Sequence, residues 1–213
     1  MVAFQKAGCG DLDDLLRCAA EWAGEVDIHA AHLEEMRRQW RELGEPTVVL
    51  ACPNCRKMFE EYLPELPVVF LAEVMEEWGV ETAGTAGEPY ALFDPCASRY
   101  YPELQESVRH LADAAGITWE NLPYDGKKAR CCGYGGHIGI ASPSHTSYMT
   151  TSRAKEEELP YVTYCVNCRE SFAGQGKEAV HILDLLFGLN GAGAGGDGDG
   201  ALAQPPGGET GTA

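Results

Sequence analysis

The chain alternates short apolar runs, rich in β-branched or aromatic residues, with longer segments in which apolar residues recur every three or four positions. The short runs are typical of buried strands, and the longer segments are typical of amphipathic helices. Because strands and helices alternate, the pattern predicts an α/β fold with parallel sheets. The predicted strands are 47–51, 90–93, 117–122 and 161–164, with a strand running into a helix over 68–79, and the predicted helices are 11–23, 29–43, 56–62, 103–115, 144–159 and 179–189.

One sequence pattern occurs twice. C-x-N-C-R-x-x-F runs from Cys52 to Phe59 and again from Cys165 to Phe172, and each copy follows a predicted strand and precedes an apolar segment. A match this specific indicates two homologous lobes, which we expect to pack about a pseudo-twofold axis. The second lobe also has a strand that leads into Cys96, and the first lobe has no counterpart to it. The sequence therefore predicts two homologous Rossmann-like cysteine-rich lobes with parallel sheets, the first lobe incomplete.

Two stretches of small residues suggest where the lobes end. Residues 82–89 are small and flexible and mark a boundary between the lobes. The C-terminal stretch has almost no apolar bulk, so burial cannot offset the entropy lost on ordering it. We expect a partial N-terminal cysteine-rich lobe over 1–88, a complete C-terminal cysteine-rich lobe over 89–190 and a disordered Gly-rich tail over 191–213.

Composition narrows the function classes. The formal charge of −17 over 213 residues argues against a nucleic-acid partner. No apolar run approaches the roughly 18 residues needed to cross a bilayer, and the first residues lack the apolar core of a secretory signal. We therefore expect a cytoplasmic protein. Nine cysteines are many for that compartment, where disulfides are rare, so grouped cysteines there indicate metal binding or redox chemistry.

Five cysteines form a set with the pattern C-x34-C-C-G-x31-C-x2-C. Functional groups gather beyond the carboxyl ends of parallel strands, and two of the predicted strands lead directly into members of this set. Thiolates are the soft ligands that iron–sulfur clusters take, and the glycines after the adjacent pair let the backbone approach a cluster. The sequence therefore predicts a metal centre with iron–sulfur character at Cys96, Cys131, Cys132, Cys165 and Cys168.

Other sites remain open at this point. Structural zinc is the main alternative, because C-x2-C pairs are also typical zinc ligands. A thiol–disulfide centre at the adjacent cysteines is a weaker alternative, because such disulfides are strained. In the first lobe, three thiols are compatible with a second metal site or with no metal. That second candidate site consists of Cys9, Cys52 and Cys55, and His137 and Tyr134 are candidates for tuning the main centre.

The five-cysteine pattern resembles the cysteine-rich CCG domain of heterodisulfide reductase B-type subunits. Related domains occur in lactate-utilisation, anaerobic glycerol-3-phosphate dehydrogenase and quinone-linked iron–sulfur subunits. The resemblance covers 90–189 and, in part, 9–79. It implies that the five cysteines ligate a [4Fe-4S] cluster of the non-cubane type, at which a disulfide is cleaved by electrons delivered singly. Some relatives bind a cubane cluster or zinc instead, so the cluster type stays open.

The resemblance also implies a partner. Members of the family work beside a flavoprotein or a ferredoxin-like subunit, and this chain has no flavin or nicotinamide fingerprint. We therefore expect an iron–sulfur redox subunit of a heterodisulfide-reductase-like oxidoreductase, with its electron donor on another chain. The alternatives are a zinc-stabilised binding or assembly module without catalysis and, with less support, a thiol-based redox regulator.

Overall fold

The computed structural model describes residues 18–83 and 87–189. Cys9 and the predicted tail at 191–213 lie outside the described residues. Within the described part, strands and helices alternate and the strands pair in parallel, which confirms the predicted α/β class. The strands are β1 (Val48–Leu50), β2 (Val68–Phe70), β3 (Tyr90–Phe93), β4 (Trp119–Asn121), β5 (Tyr161–Thr163) and β6 (Ala179–His181).

Most helices overlap predicted segments, with boundaries that differ by up to five residues, but the helices at Ile138–Ala141 and Val166–Ala173 were not predicted. Several begin with proline, which is favoured in the first turn because its missing N–H has no partner there in any case. The helices are α1 (Cys18–Ala23), α2 (Val26–Glu42), α3 (Pro53–Tyr62), α4 (Leu71–Glu77), α5 (Pro102–Ala114), α6 (Ile138–Ala141), α7 (Pro143–Ala154), α8 (Val166–Ala173) and α9 (Ile182–Leu186), with 3-10 helices at Cys96–Tyr100 and Gly126–Lys128.

The strands form two sheets. The larger sheet has the order β4-β3-β5-β6, and every neighbouring pair in it is parallel. The smaller sheet pairs β1 with β2, also in parallel. Parallel neighbours require a crossover, and helices supply it in both sheets. All the strand ends that lead into cysteines therefore point towards one edge of their sheet.

The sequence repeat is also a structural repeat. Each copy is a three-residue strand, a helix that starts at the cysteine pair, a second three-residue strand and a second helix. The prediction of a helix over 179–189 was wrong at its start, because Ala179–His181 pairs with β5 as a strand. The equivalent residues of the first copy, Val68–Phe70, pair with β1 in the same way.

The two repeats share a hydrophobic core. Phe70 and Met75 from the first half pack in the same buried cluster as Leu92 and Val162 from the larger sheet. A second buried cluster covers the opposite face of that sheet and includes Cys132 and Cys168. No helix among the described residues is both long enough and apolar enough to span a membrane.

Candidate metal centre

Three strands, one from the smaller sheet and two from the larger, lead to cysteines that lie close together. Cys52 lies two residues after β1, Cys96 three residues after β3 and Cys165 two residues after β5. Cys52 and Cys165 each have extended backbone angles and stand immediately before the first turn of a helix. A thiolate in this position faces unpaired backbone N–H groups, which stabilise its charge.

The thiols touch one another in a continuous series. Cys168 donates a hydrogen bond to Cys132 with an Sγ–Sγ distance of 3.3 Å. Further side-chain hydrogen bonds connect Cys132 to Cys131 and Cys131 to Cys96, and on the other side Cys168 to Cys165. The series continues across the two repeats to the first C-x2-C pair. We call this set the thiol row; in order of contact it is Cys96, Cys131, Cys132, Cys168, Cys165, Cys52 and Cys55, all free thiols.

The contacts in the thiol row are sequential rather than convergent. Among residues 18–83 and 87–189, no three histidine, cysteine, aspartate or glutamate side chains form a compact group around one point that would hold a single metal ion. The structure thus brings the five cysteines of the predicted set into one row and places Cys52 and Cys55 at its end. Cys9 lies outside the described residues, so of the three thiols predicted for the first lobe the structure places Cys52 and Cys55.

Cys131 is an anionic position in the row. Hydrogen bonds from the thiols of Cys132 and Cys96 lower the pKa of Cys131 to about 2, and the backbone N–H groups of Gly133 and Gly135 add to the effect against the opposing influence of burial. The N–H of Gly133 lies 3.3 Å from the Cys131 sulfur. The glycine-rich turn therefore surrounds this thiolate with donors.

Cys52 is the second anionic position. A hydrogen bond from Cys165 and another from Cys55 lower the pKa of Cys52 to about 3, and the N–H groups of Cys55 and Asn54 contribute as well. The hydrogen bond between Cys52 and Cys165 has the opposite effect on Cys165. Cys168 favours the thiolate of Cys165, but the bond to Cys52 and burial outweigh it and raise the pKa of Cys165 to about 12.

Three further thiols of the row, those of Cys132, Cys96 and Cys168, have raised pKa values. The hydrogen bond to Cys131 raises the pKa of Cys132 to about 11, despite a bond from Cys168. A separate hydrogen bond from Cys96 to Cys131, together with burial, raises the pKa of Cys96. Cys168 donates to Cys132 and Cys165 and is buried, so its pKa is raised as well. The thiolates of Cys131 and Cys52 are thus separated by three protonated thiols, which would release their protons on binding a metal.

The turn that carries the adjacent cysteines is held by α7. Thr150 donates a hydrogen bond of 2.7 Å to the backbone carbonyl of Cys132. Gly133 has a φ of +103°, and a Cβ there would lie 3.2 Å from atoms of Met149, Thr146 and Thr150. The turn needs glycine at this position because the backbone conformation and the close helix leave no room for a side chain.

A buried polar network fixes the two strand ends that carry Cys96 and Cys165. The carboxylate of Asp94 is fully buried and accepts hydrogen bonds from Arg109, at 2.8 and 3.2 Å, and from Tyr164, at 2.7 Å. The Tyr164 hydroxyl also contacts Ser98 at 2.8 Å. No motif in the sequence predicts this network, and the one signal for it is that Asp94 and Tyr164 flank cysteines at strand ends.

His181 was predicted on a helix and instead ends β6, where it is buried. Its Nδ1 accepts a hydrogen bond from the backbone N–H of Leu183 at 3.3 Å, and its ring also bonds to the backbone of Tyr164. Burial lowers the pKa of His181. The neutral ring therefore supports the backbone just before Cys165.

The two candidate tuning residues lie on the loop after the adjacent cysteines. His137 has a left-handed backbone conformation with a φ of 55°, and its ring packs edge-on against Trp22 with centroids 5.6 Å apart. Tyr134 has an exposed side chain, and its backbone hydrogen-bonds to Cys132. Their part in tuning the centre stays a prediction.

Comparison with known protein families agrees with this geometry. The model of the CCG family, described as "Cysteine-rich domain", matches residues 90–173, a segment that runs from β3 through α8 and contains all five cysteines of the predicted set. No curated protein matches the chain. The family match supports a metal-binding or iron–sulfur role for these cysteines. Residues 90–173 of the chain are therefore similar to the cysteine-rich domain of the CCG family.

Proposed function

We propose that the chain is an iron–sulfur redox subunit, or a domain of one, in a heterodisulfide-reductase-like oxidoreductase. The observation that carries the proposal is the thiol row, in which residues from separate strands and loops meet. In this proposal electrons pass to a disulfide or another small acceptor. The proposed ligands of the [4Fe-4S] cluster are Cys96, Cys131, Cys132, Cys165 and Cys168.

The donor set fits such a cluster. All members of the row are thiols, and soft sulfur donors select iron–sulfur clusters over hard cations. Cys132 and Cys168 are each 3 % exposed, so the middle of the row is shielded from water, while its other members are partly exposed. Backbone N–H groups aimed at Cys131 and Cys52 supply the hydrogen bonds to sulfur that tune a cluster. When bound, the cluster supplies reversible one-electron chemistry.

The residues of this chain would then hold and shield the centre. Thr150 and Gly133 fix the turn of the adjacent cysteines, and the network around Asp94 fixes the strand ends. Cys52 touches Cys165, so we propose that the second metal site, formed by Cys9, Cys52 and Cys55, lies directly beside the first.

The electron donor in this proposal is a separate chain, a flavoprotein or a ferredoxin-like subunit. The sequence lacks a nucleotide-binding glycine fingerprint of its own. We propose a cytoplasmic location, since solvent-accessible free thiols are kept reduced in that compartment.

A zinc-stabilised binding or assembly module is the alternative. The contact between Cys132 and Cys168 brings two buried sulfurs within reach of one small ion, and this contact favours the alternative. Zinc and an iron–sulfur cluster are distinguished by composition and colour rather than by geometry.

The test is quantification of iron, acid-labile sulfide and zinc, with EPR spectra, on protein purified without oxygen. We expect about four irons and four sulfides per chain, with brown charge-transfer absorption. Cys132→Ser removes a member of the proposed ligand set and should abolish most of the iron. Cys18→Ser is the matched control, because Cys18 lies outside the proposed set, and it should leave the iron content unchanged.

Colourless protein that contains zinc alone would replace the redox proposal by the zinc alternative. An iron content per chain that is equal in the Cys132→Ser and Cys18→Ser variants would contradict the proposed ligand set.

A further inference from the structure

The charge of the chain is distributed unevenly around the candidate centre. The whole sequence has 16 Lys and Arg residues against 33 Asp and Glu residues. Residues 121–155, which include the adjacent cysteines, have five cations and a single carboxylate, that of Asp125. The segment next to the proposed cluster is therefore positive in a protein that is strongly negative.

Part of this positive charge has no partner among the described residues. The guanidinium groups of Arg130 and Arg153 share the carboxylate of Glu156. In contrast, Arg99, Lys127 and Lys128 are exposed, and none of them forms an ion pair with a carboxylate of residues 18–83 or 87–189. Lys127 and Lys128 belong to this positive segment, and Arg99 adds a third exposed cation from outside it.

The three cations lie at the edge of the sheet where the thiols gather. The 3-10 helix with Lys127 and Lys128 packs against the 3-10 helix that contains Cys96 and Arg99. The backbone N–H of Gly126 donates a hydrogen bond of 2.8 Å to Asp94, which fixes this packing. The charge of Asp94 is itself balanced by Arg109, so it does not offset the three exposed cations. We call Arg99, Lys127 and Lys128 the basic rim.

Large apolar side chains are exposed close to the cysteines of the thiol row in the sequence. Tyr100 follows Arg99 directly, Tyr134 and Ile140 follow the adjacent cysteines, and Val166 follows Cys165. Each of these four side chains is at least 46 % exposed, and Ile140 reaches 75 %. Exposed aromatic and apolar residues interspersed with cations are typical of a protein–protein interface rather than of a pocket for a small anion.

We propose that the basic rim and the exposed apolar residues next to the cysteines form a docking surface for an acidic electron-carrier protein. The inference rests on the proposed redox function, which gives the partner its role. The charge sign comes from the surface itself, because a positive rim attracts a negatively charged partner and orients it with its own centre towards the thiols. A nucleic acid fits poorly, because the rest of the chain would repel it.

The test is a calorimetric titration of the full chain with an acidic bacterial ferredoxin that has two [4Fe-4S] clusters. We expect the dissociation constant to weaken at least about tenfold between about 20 mM and about 500 mM salt, since screening removes attraction between exposed charges. The double variant Lys127→Glu/Lys128→Glu should weaken binding by a similar factor at low salt and should lose the salt dependence. The control is Arg38→Glu/Arg41→Glu on α2, which changes the net charge equally and should bind nearly as the unmodified chain does.

Each outcome separates the docking surface from the proposed cluster, because iron is measured on the same preparations. Iron-free protein that still binds the ferredoxin with salt dependence supports the surface and overturns the cluster. If the protein contains iron but its dissociation constant for the ferredoxin changes neither with salt nor in the Lys127→Glu/Lys128→Glu variant, the docking surface alone is overturned. Absence of ferredoxin binding, tighter binding of a single-stranded oligonucleotide, or a dimer of the chain that dissociates in this double variant also overturns the inference.

Discussion

Asp94 is a carboxylate that the protein interior tolerates because three donors surround it. Its side chain has no solvent exposure, and Arg109, Tyr164 and the N–H of Gly126 all donate to it. Asp94→Asn would remove the charge and leave the Arg109 guanidinium without its counterion in a half-buried place. We expect a loss of about 3 kcal/mol in the free energy of unfolding, measured by urea denaturation of the metal-free protein.

The control for this prediction is an aspartate in an ordinary environment. Asp113 is exposed and accepts one hydrogen bond, from Trp119 at 2.8 Å. Asp113→Asn should therefore change the free energy of unfolding by less than about 1 kcal/mol. Equal losses for the two variants would mean that the Asp94 network does not hold the strand ends together.

The turn that carries the adjacent cysteines depends on glycine at position 133. Its φ of +103° is a conformation that side chains rarely adopt, and α7 packs against the position from outside. Gly133→Ala should lower the free energy of unfolding by about 2 kcal/mol and reduce the metal content, because the adjacent cysteines would shift with the turn. Urea midpoints and metal analysis measure the two effects.

Gly135 is the matched control in the same turn. A Cβ at Gly135 would meet no atom within 4 Å, and its φ lies outside the left-handed region. Gly135→Ala keeps the backbone N–H that Cys131 uses, so stability and metal content should stay close to those of the unmodified chain. A larger loss in Gly135→Ala than in Gly133→Ala would refute the steric explanation.

The elements show what sequence alone can and cannot predict. The period of apolar residues identified the parallel α/β class and most elements, because burial of one face depends on local pattern. It failed at Ala179–His181, since a strand of three residues that leads directly into a helix contains too few positions to display a period of two. The sequence repeat contained the missing information, because the equivalent Val68–Phe70 had been predicted as a strand.

The candidate site also contains residues that the sequence predicts and residues that it does not. Cysteines were identifiable because their chemistry is visible in the residue type and spacing. The residues that support them were not, since Asp94 meets Tyr164 across 70 positions of sequence and both are common residues. The contact between Cys52 and Cys165 likewise depends on how the two repeats pack, which no local pattern specifies.

At the scale of the whole molecule, Arg56 connects the two repeats. Its guanidinium lies over the rings of Phe70 and Tyr101, with centroid distances of 4.5 and 4.9 Å. It also pairs with Glu60 at 2.8 Å, while the Tyr101 hydroxyl donates to the same carboxylate at 2.7 Å. Glu73 and Glu103 lie 3.5 and 3.8 Å from the guanidinium. One cation thus neutralises carboxylates from both halves of the chain.

Arg56→Met should lower the free energy of unfolding by about 2 kcal/mol at pH 7, because it removes two cation–π contacts and leaves three carboxylates facing each other. The deficit should shrink in acid. Burial opposes the charge on Glu60, but hydrogen bonds from Arg56 and Tyr101 outweigh it and lower the pKa of Glu60. A lowered pKa contributes stability above the pKa of the unfolded chain, and that contribution is lost as the pH falls through the folded-state pKa. The difference between the unmodified chain and the variant should therefore be largest near neutrality and smallest below about pH 4.

The repeat provides the control, because Arg169 occupies the position equivalent to Arg56. Arg169 pairs with Glu170 and Asp184, both in its own half of the chain, at 2.7 and 3.1 Å. Arg169→Met should cost less than about 1 kcal/mol, since exposed ion pairs contribute little. Urea denaturation of both variants at neutral and acidic pH measures the comparison. If Arg169→Met were as destabilising as Arg56→Met, or if the Arg56→Met deficit grew as the pH fell, Arg56 would not be the cation that couples the halves and thereby keeps Cys52 against Cys165.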